Sequence, residues 1–241
     1  MKTRLPTGLY ALTPDSFDDD WLVMAASAAI RGGASAVQYR NKSVDAAQRL
    51  RQAQRLARAC REGGALFIVN DSVELARAVG AHGLHIGRDD GDPLAIRAAL
   101  EPGWVLGVSC YDSFERALAV RGVADYVAFG SVYVSSVKPG AVRAPLALFG
   151  RAREAGMHAV AIGGIDEGNA FEVAQAGAAT VAVITAVFGH AEGMGRTDST
   201  QIEGNARRVV EAFEAGLRTA TRGPNASTGD FRPEQAGPTS R

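Results

Sequence analysis

A few short stretches hold side chains able to handle a charged ligand. VQYRNK, Val37 to Lys42, sets Gln38, Arg40 and Lys42 two residues apart. IVND ends in Asn70 and Asp71, HIGRDD in Asp89 and Asp90, and LGVS in Ser109. Further on, FGSVYVSSVKPGAV carries Ser135, Ser136 and Lys138, IGGI carries Gly163 and Gly164, and AVIT ends in Thr185. Carboxylates are hard oxygen ligands suited to Mg²⁺, which takes one or two of them plus phosphate oxygens. Arginine, lysine and hydroxyl groups meet phosphate through charge-assisted hydrogen bonds. Each stretch also has a plainer reading. Gln38, Arg40 and Lys42 suit the solvated face of an antiparallel sheet, Asp71 and Asp90 suit helix N-caps, the serine-lysine segment suits a surface loop, and Gly-Gly suits a tight turn.

The elements around these residues decide between the readings. Apolar runs recur at Gly8 (GLYALT), Ala36 (AVQYR), Leu66 (LFIVN), Gly83 (GLHIG), Val105 (VLGVS), Tyr126 (YVAFG), Ala159 (AVAIGG) and Thr180 (TVAVI). Between them lie segments of helical periodicity such as DDDWLVMAASAAIRGG and VDAAQRLRQAQRLARACREGG, acidic or small at the start and ending in Gly. Such alternation implies a parallel sheet, and about eight units in this length fit a closed (β/α)8 TIM barrel better than an open doubly wound sheet. The phrases GGASAV, VGAHGL, GVADYV and AGAATV read as one helix-to-strand turn repeated. HAEGMGRTDSTQIEGN reads as a polar break, ARRVVEAFEAGLRTA as the last amphipathic helix, and the residues from 222 as a disordered tail with too little apolar surface to offset its ordering entropy. The expected organisation is a catalytic barrel domain over 1–221 and a tail over 222–241.

In such a barrel the C-terminal strand ends form the active face. Gln38, Arg40 and Lys42 then look into the mouth, with Val37 and Tyr39 toward the helices. Asp71 and Asp90 arrive from neighbouring units, and Gly163, Gly164 and Thr185 end the last two strands, where these barrels often hold a phosphate on backbone N–H groups. Arg40, Lys42 and Lys138 with two aspartates suit a metal-bound pyrophosphate beside a monophosphate. Two phosphorylated substrates are implied.

Composition narrows the alternatives. Lys plus Arg and Asp plus Glu each total 26 in 241 residues, so no charge excess draws the chain to nucleic acid or an anionic membrane. Cys60 and Cys110 are too few for a disulfide framework and lack zinc-site spacing. The start, MKTRLPTGLYALT, has no long apolar stretch, and no run approaches the roughly 18 apolar residues of a membrane span. A soluble, cytoplasmic protein is expected. His85 reads as a core histidine, and neither it nor Cys110 is assigned to catalysis.

In order and spacing, VQYRNK, IVND, HIGRDD, GVS, AIGGI and VAVIT resemble the motifs of the thiamine-phosphate synthase family over about residues 8 to 188. The resemblance implies a Mg²⁺-dependent transfer joining hydroxymethylpyrimidine pyrophosphate to a thiazole phosphate, with release of pyrophosphate. It implies that Gln38, Tyr39, Arg40, Asn41, Lys42, Asn70, Ser109 and Lys138 hold the pyrimidine pyrophosphate, that Asp71 and Asp90 bind Mg²⁺, and that Ser135, Ser136, Val137, Gly164, Ile184 and Thr185 line the thiazole phosphate site. Arg40, Lys42 and Lys138 carry the catalytic charge, and a loop over 130–142 closes the mouth. The implied partners are the two small-molecule substrates, with no nucleic acid or membrane, and a homo-oligomer is left open.

Departures accompany the likeness. Val137 stands where the family usually has threonine, and Ser131 and Val134 where it usually has proline. Two rival readings share the barrel. A thiazole tautomerase paralogue generally lacks the metal aspartates and has a histidine after the serine, where this chain has Tyr111. A binding protein without turnover would account for Val137.

Overall fold

The computed structural model describes residues 3–42, 44–134, 140, 142–189 and 197–222. Ser135, Ser136, Val137, Lys138 and the tail from 223 onward lie outside the described residues. Eight strands alternate with helices: β1 Gly8–Leu12, α1 Asp19–Arg31, β2 Ala34–Tyr39, α2 Ala46–Gly63, β3 Leu66–Asn70, α3 Val73–Ala78, β4 Gly83–Ile86, α4 Pro93–Ala99 and β5 Val105–Tyr111. They continue as α5 Phe114–Ala119, β6 Tyr126–Phe129, α6 Ala147–Glu154, β7 Ala159–Ile162, α7 Ala170–Gln175, β8 Thr180–Val183, α8 Thr185–Phe188 and α9 Ser199–Arg222. The strands form one closed parallel barrel in sequence order, with β1 paired to β8 as Leu9 with Val181. Closure removes the solvated sheet face that the polar residues of β2 would otherwise have needed.

Alternation along each strand feeds two cores. Tyr10, Leu12, Ala36, Ile68, Val105, Tyr126, Ala128, Val160 and Ala182 fill the barrel interior. The opposite faces, including Leu9, Val37, Phe67, Leu84 and Val181, pack under the helices. Helix starts follow local chemistry: the carboxylates of Asp18, Asp45 and Asp92 and the hydroxyls of Ser72 and Ser113 accept the first backbone N–H groups. α2 ends on Gly64 at φ 73°, a left-handed cap.

The polar break after Phe188 is shorter than expected. Its second half belongs to α9, because Asp198 and Gln201 cap each other: Gln201 N–H donates to Asp198 Oδ1, and Asp198 N–H to Gln201 Oε1. Ile202, Ala206, Val209 and Phe213 then bury one helical face completely. Among the described residues, no helix is long and apolar enough to cross a membrane.

Candidate active site

The mouth forms where β2 to β5 end. Gln38 is the last inward side chain of β2 and is buried, its Nε2 donating to Tyr10 Oη at 2.7 Å. Arg40 follows the strand, half-buried, with its guanidinium 3.3 Å from Asp15 Oδ1 and its backbone N–H on Thr13 Oγ1. Lys42 is exposed, its ammonium 3.7 Å from Asp71 Oδ2. The residues between them turn the other way. Tyr39 Oη donates to Gln52 Oε1 on α2, and Asn41 Nδ2 donates to Gln52 Oε1 and the Ser16 carbonyl. The side chains of Tyr39 and Asn41 therefore brace β2 against α2 and the chain at Ser16.

Asp71 and Asp90 are not helix caps, since Ser72 caps α3 and Asp92 caps α4. Asp71 sits in the left-handed region at φ 67°, its backbone N–H bonded to the His85 carbonyl. Aspartate tolerates that conformation better than most residues, and it turns the carboxylate away from the helix toward the neighbouring unit. Asp90 folds back so that its Oδ2 accepts the Gly87 N–H at 2.7 Å. Burial pushes the Asp71 carboxyl up to about 6, helped by a hydrogen bond to Asp90 and by that group's charge, while Lys42 and Arg40 pull it down. Two carboxylates this close, with no third acidic, histidine or cysteine ligand grouped with them among the described residues, are a donor set for a hard divalent ion whose remaining ligands come from water or phosphate. Asp89 is exposed beside them.

Ser109 lies at a bulge in β5, where the pairing with β6 slips between Ser109 and Tyr111. Arg116 pins the turn, donating from Nε to the Ser109 carbonyl and from Nη2 to the Gly87 carbonyl. Tyr111, at φ 55°, lies under the Arg88 guanidinium, 4.8 Å from ring centroid to Cζ, and its Oη accepts the Arg88 N–H. Beneath Ser109 runs a chain that residue spacing does not reveal. Ser109 Oγ lies 2.9 Å from His85 Nε2, His85 Nδ1 2.9 Å from Tyr126 Oη, and Tyr126 Oη 3.1 Å from Tyr10 Oη, which receives Gln38. His85 is thus more than core filling. Burial holds its pKa down at about 4, so the ring is neutral near pH 7.

On the far side, Gly163 and Gly164 both have positive φ, and a Cβ on Gly164 would sit 2.3 Å from the Val134 carbonyl oxygen. Val132 and Tyr133 donate to the Ile162 and Gly163 carbonyls, strapping the chain after β6 to the end of β7. Ser131 N–H donates to the Val142 carbonyl and Ala144 N–H to the Ser131 carbonyl, so the feet of the loop over 130–142 are held together. Ile184 and Thr185 begin α8, whose first N–H groups lack intrahelical partners as at any helix start. Gln38, Ser109, Leu12, Ala128, Ile162 and Ala182 line one cavity of about 40 Å³ inside the mouth, together with Tyr10, His85, Tyr126 and Val160.

Fold and site together define a parallel (β/α)8 enzyme of the phosphate-handling kind, with paired carboxylates and cations at the strand ends. The model of the thiamine monophosphate synthase family matches residues 9–187, and the chain belongs to that family. It is 56% identical over 182 residues to a thiamine-phosphate synthase of Chromobacterium violaceum, covering 75% of this chain and 88% of the relative. A thiamine-phosphate synthase of Bordetella pertussis is 46% identical over 222 residues, covering 88% and 98% of the two chains. Among solved structures, a thiamine phosphate pyrophosphorylase from Pyrococcus furiosus superposes with a TM-score of 0.73 at 29% identity, over 88% of this chain and 97% of that one.

Proposed function

We propose that this chain joins 4-amino-2-methyl-5-hydroxymethylpyrimidine pyrophosphate to a thiazole phosphate, giving thiamine phosphate and pyrophosphate. The observation carrying this reading is the Asp71–Asp90 carboxyl pair beside Lys42 and Arg40 at the barrel mouth. The bond from the pyrimidine methylene to the pyrophosphate oxygen breaks, and a bond from that carbon to the thiazole nitrogen forms. The electron-rich aminopyrimidine supports positive charge on the methylene, so the protein's main task is to stabilise the departing anion. Residues 1–221 act as one catalytic domain in this reading.

Asp71 and Asp90 would hold Mg²⁺, which supplies positive charge to the pyrophosphate when bound. Arg40, fixed by Asp15, offers a planar donor fork to phosphate oxygens, and Lys42 a mobile ammonium. Lys138 adds a third cation from the loop, and Asn70 a neutral donor from the end of β3. Gln38 and Ser109 bind the pyrimidine ring, above apolar walls of Leu12, Ala128 and Ile162 that exclude water. Gly164, Ile184 and Thr185, with Ser135, Ser136 and Val137, take the thiazole phosphate on backbone N–H groups and hydroxyls.

Incubating the purified protein with both phosphorylated heterocycles and Mg²⁺ tests the reading. Thiamine phosphate and pyrophosphate are expected in equal amounts, and neither from Asp71→Ala or Lys138→Ala. Binding of both heterocycles with no product from the wild type would instead establish a binding protein.

A further inference from the structure

The chain across the barrel interior has a direction set by chemistry. Gln38 Nε2 carries only hydrogens, so in its 2.7 Å contact Tyr10 Oη must accept. The Tyr10 proton then has Tyr126 Oη as its partner at 3.1 Å, and the Tyr126 proton has His85 Nδ1 at 2.9 Å. A neutral imidazole with Nδ1 accepting carries its hydrogen on Nε2, which faces Ser109 Oγ at 2.9 Å. The Ser109 hydroxyl accepts at that end, and its own hydrogen is left over for the cavity that both Ser109 and Gln38 line. Running the chain the other way leaves the Tyr10 hydrogen without an acceptor in the barrel interior, where both tyrosines are almost fully buried. Reversing only the His85 end strands the Tyr126 hydrogen instead.

The barrel is shaped to admit this chain. A Cβ on Gly107 would lie 1.9 Å from Cζ of Tyr126, so glycine at that point of β5 makes room for the phenol inside. The His85 and Tyr126 rings stack with centroids 5.6 Å apart, and Tyr10 meets Tyr126 edge-on at 6.0 Å. None of the three residues needs to touch a reacting atom.

We propose that Tyr10, Tyr126 and His85 are positioning residues that hold Ser109 as a hydrogen-bond donor toward the pyrimidine substrate. The same polarity turns the Gln38 amide hydrogens inward, leaving its carbonyl oxygen as the acceptor for a ligand amino group. A donor and an acceptor set this way match an aminopyrimidine edge, with its ring nitrogen and exocyclic N–H, and disfavour the corresponding oxo form, whose ring N–H would face the Ser109 hydrogen. The substrate assignment rests on the proposed function, whereas the polarity of the chain does not.

¹⁵N NMR of the full-length protein near pH 7.5, with the His85 signals identified by their loss in His85→Asn, reads the polarity directly. The Nε2–H tautomer is expected, and an Nδ1–H tautomer would overturn the proposal whether or not the protein makes thiamine phosphate. Kinetics read the consequence. Tyr126→Phe should raise KM for the pyrimidine pyrophosphate by about tenfold and leave KM for the thiazole phosphate in place. In a Ser109→Ala background the same change should do nothing more, because its effect passes through that hydroxyl. Independent, multiplying losses would mean that Tyr126 only supports the fold, and would reject the positioning role. Should Tyr126→Phe fail to fold, Tyr10→Phe replaces it in the same cycle, with the tautomer measurement deciding by itself.

Discussion

The Lys42 ammonium stands 3.7 Å from the Asp71 carboxylate, and Asp71 is in turn hydrogen-bonded to Asp90, so one cation and two carboxylates that follow β2, β3 and β4 share the edge of the mouth. Burial raises the cost of ionising Asp71, and the neighbouring Asp90 carboxylate adds to it, with Lys42 and Arg40 pulling the other way. A divalent ion needs both ionised. Mg²⁺ binding should therefore release a proton below about pH 6 and tighten as pH rises through that value. Calorimetry with Mg²⁺ alone at pH 5 and pH 8 checks this, with Asp71→Asn showing a smaller pH dependence than the wild type. Equal affinity at the two pH values would remove Asp71 from the metal site.

Arg40 and Lys42 carry the same charge but are held differently. Arg40 is half-buried and braced by Asp15, while Lys42 has more than half of its side chain exposed. Arg40→Ala should lower kcat/KM for the pyrimidine pyrophosphate by roughly ten- to a hundredfold, the scale of a lost hydrogen bond to a charged group. Arg40→Lys should recover little of it, since the ammonium cannot reproduce the fork. Lys42→Ala should cost less and depend more on ionic strength, as an exposed charge does. Steady-state kinetics at two salt concentrations separate these outcomes.

Gly164 ties the phosphate side of the mouth to the chain after β6. It combines φ 66° with a backbone contact that a methyl group would violate, the Val134 carbonyl oxygen at 2.3 Å from the added Cβ. Gly164→Ala should destabilise the protein by about 1–3 kcal/mol and raise KM for the thiazole phosphate, because relief requires moving that chain segment. Gly122→Ala, also at positive φ but with nothing within 4 Å, should cost less and leave KM alone. Thermal melts and kinetics of the pair test the distinction.

The barrel was readable because each unit repeats a local signal. LFIVN is a strand of apolar and β-branched residues, and the structure bounds it at Leu66–Asn70. Asp45 before the helical periodicity of AAQRLRQAQRLARA marks a helix start, where the structure has Gln48 N–H donating to the Asp45 carboxylate. Side-chain direction past a strand end was less legible. Arg40 and Lys42 reach the mouth while Asn41 turns to Gln52, as alternation requires, so the Asn41 side chain shares the helix-facing side with Val37 and Tyr39. The start of α9 was read as a break because its Gly-rich approach masked the Asp198–Gln201 cap. The Tyr10–Tyr126–His85 chain joins residues 116 and 41 positions apart. No local pattern encodes such contacts, and barrel closure alone creates them.

His85 also makes stability depend on pH. Its folded pKa is about 4, held down by burial, against 6.5 in the unfolded chain. Between those values the unfolded state binds more protons than the folded one, so stability increases with pH there. The contribution is full above about pH 6.5 and is lost as pH falls toward 4, the loss reaching on the order of 2 kcal/mol at pH 5. His82 and His158 are shifted down as well, both first by burial, and add to the slope in the same sense. Urea unfolding at pH 5 and pH 7.5 should show the wild type losing stability at the lower pH. His85→Asn, though less stable throughout for want of its bonds to Ser109 and Tyr126, should lose distinctly less between the two. A variant whose pH slope equals that of the wild type would show that His85 accepts a proton as readily in the barrel as in the unfolded chain.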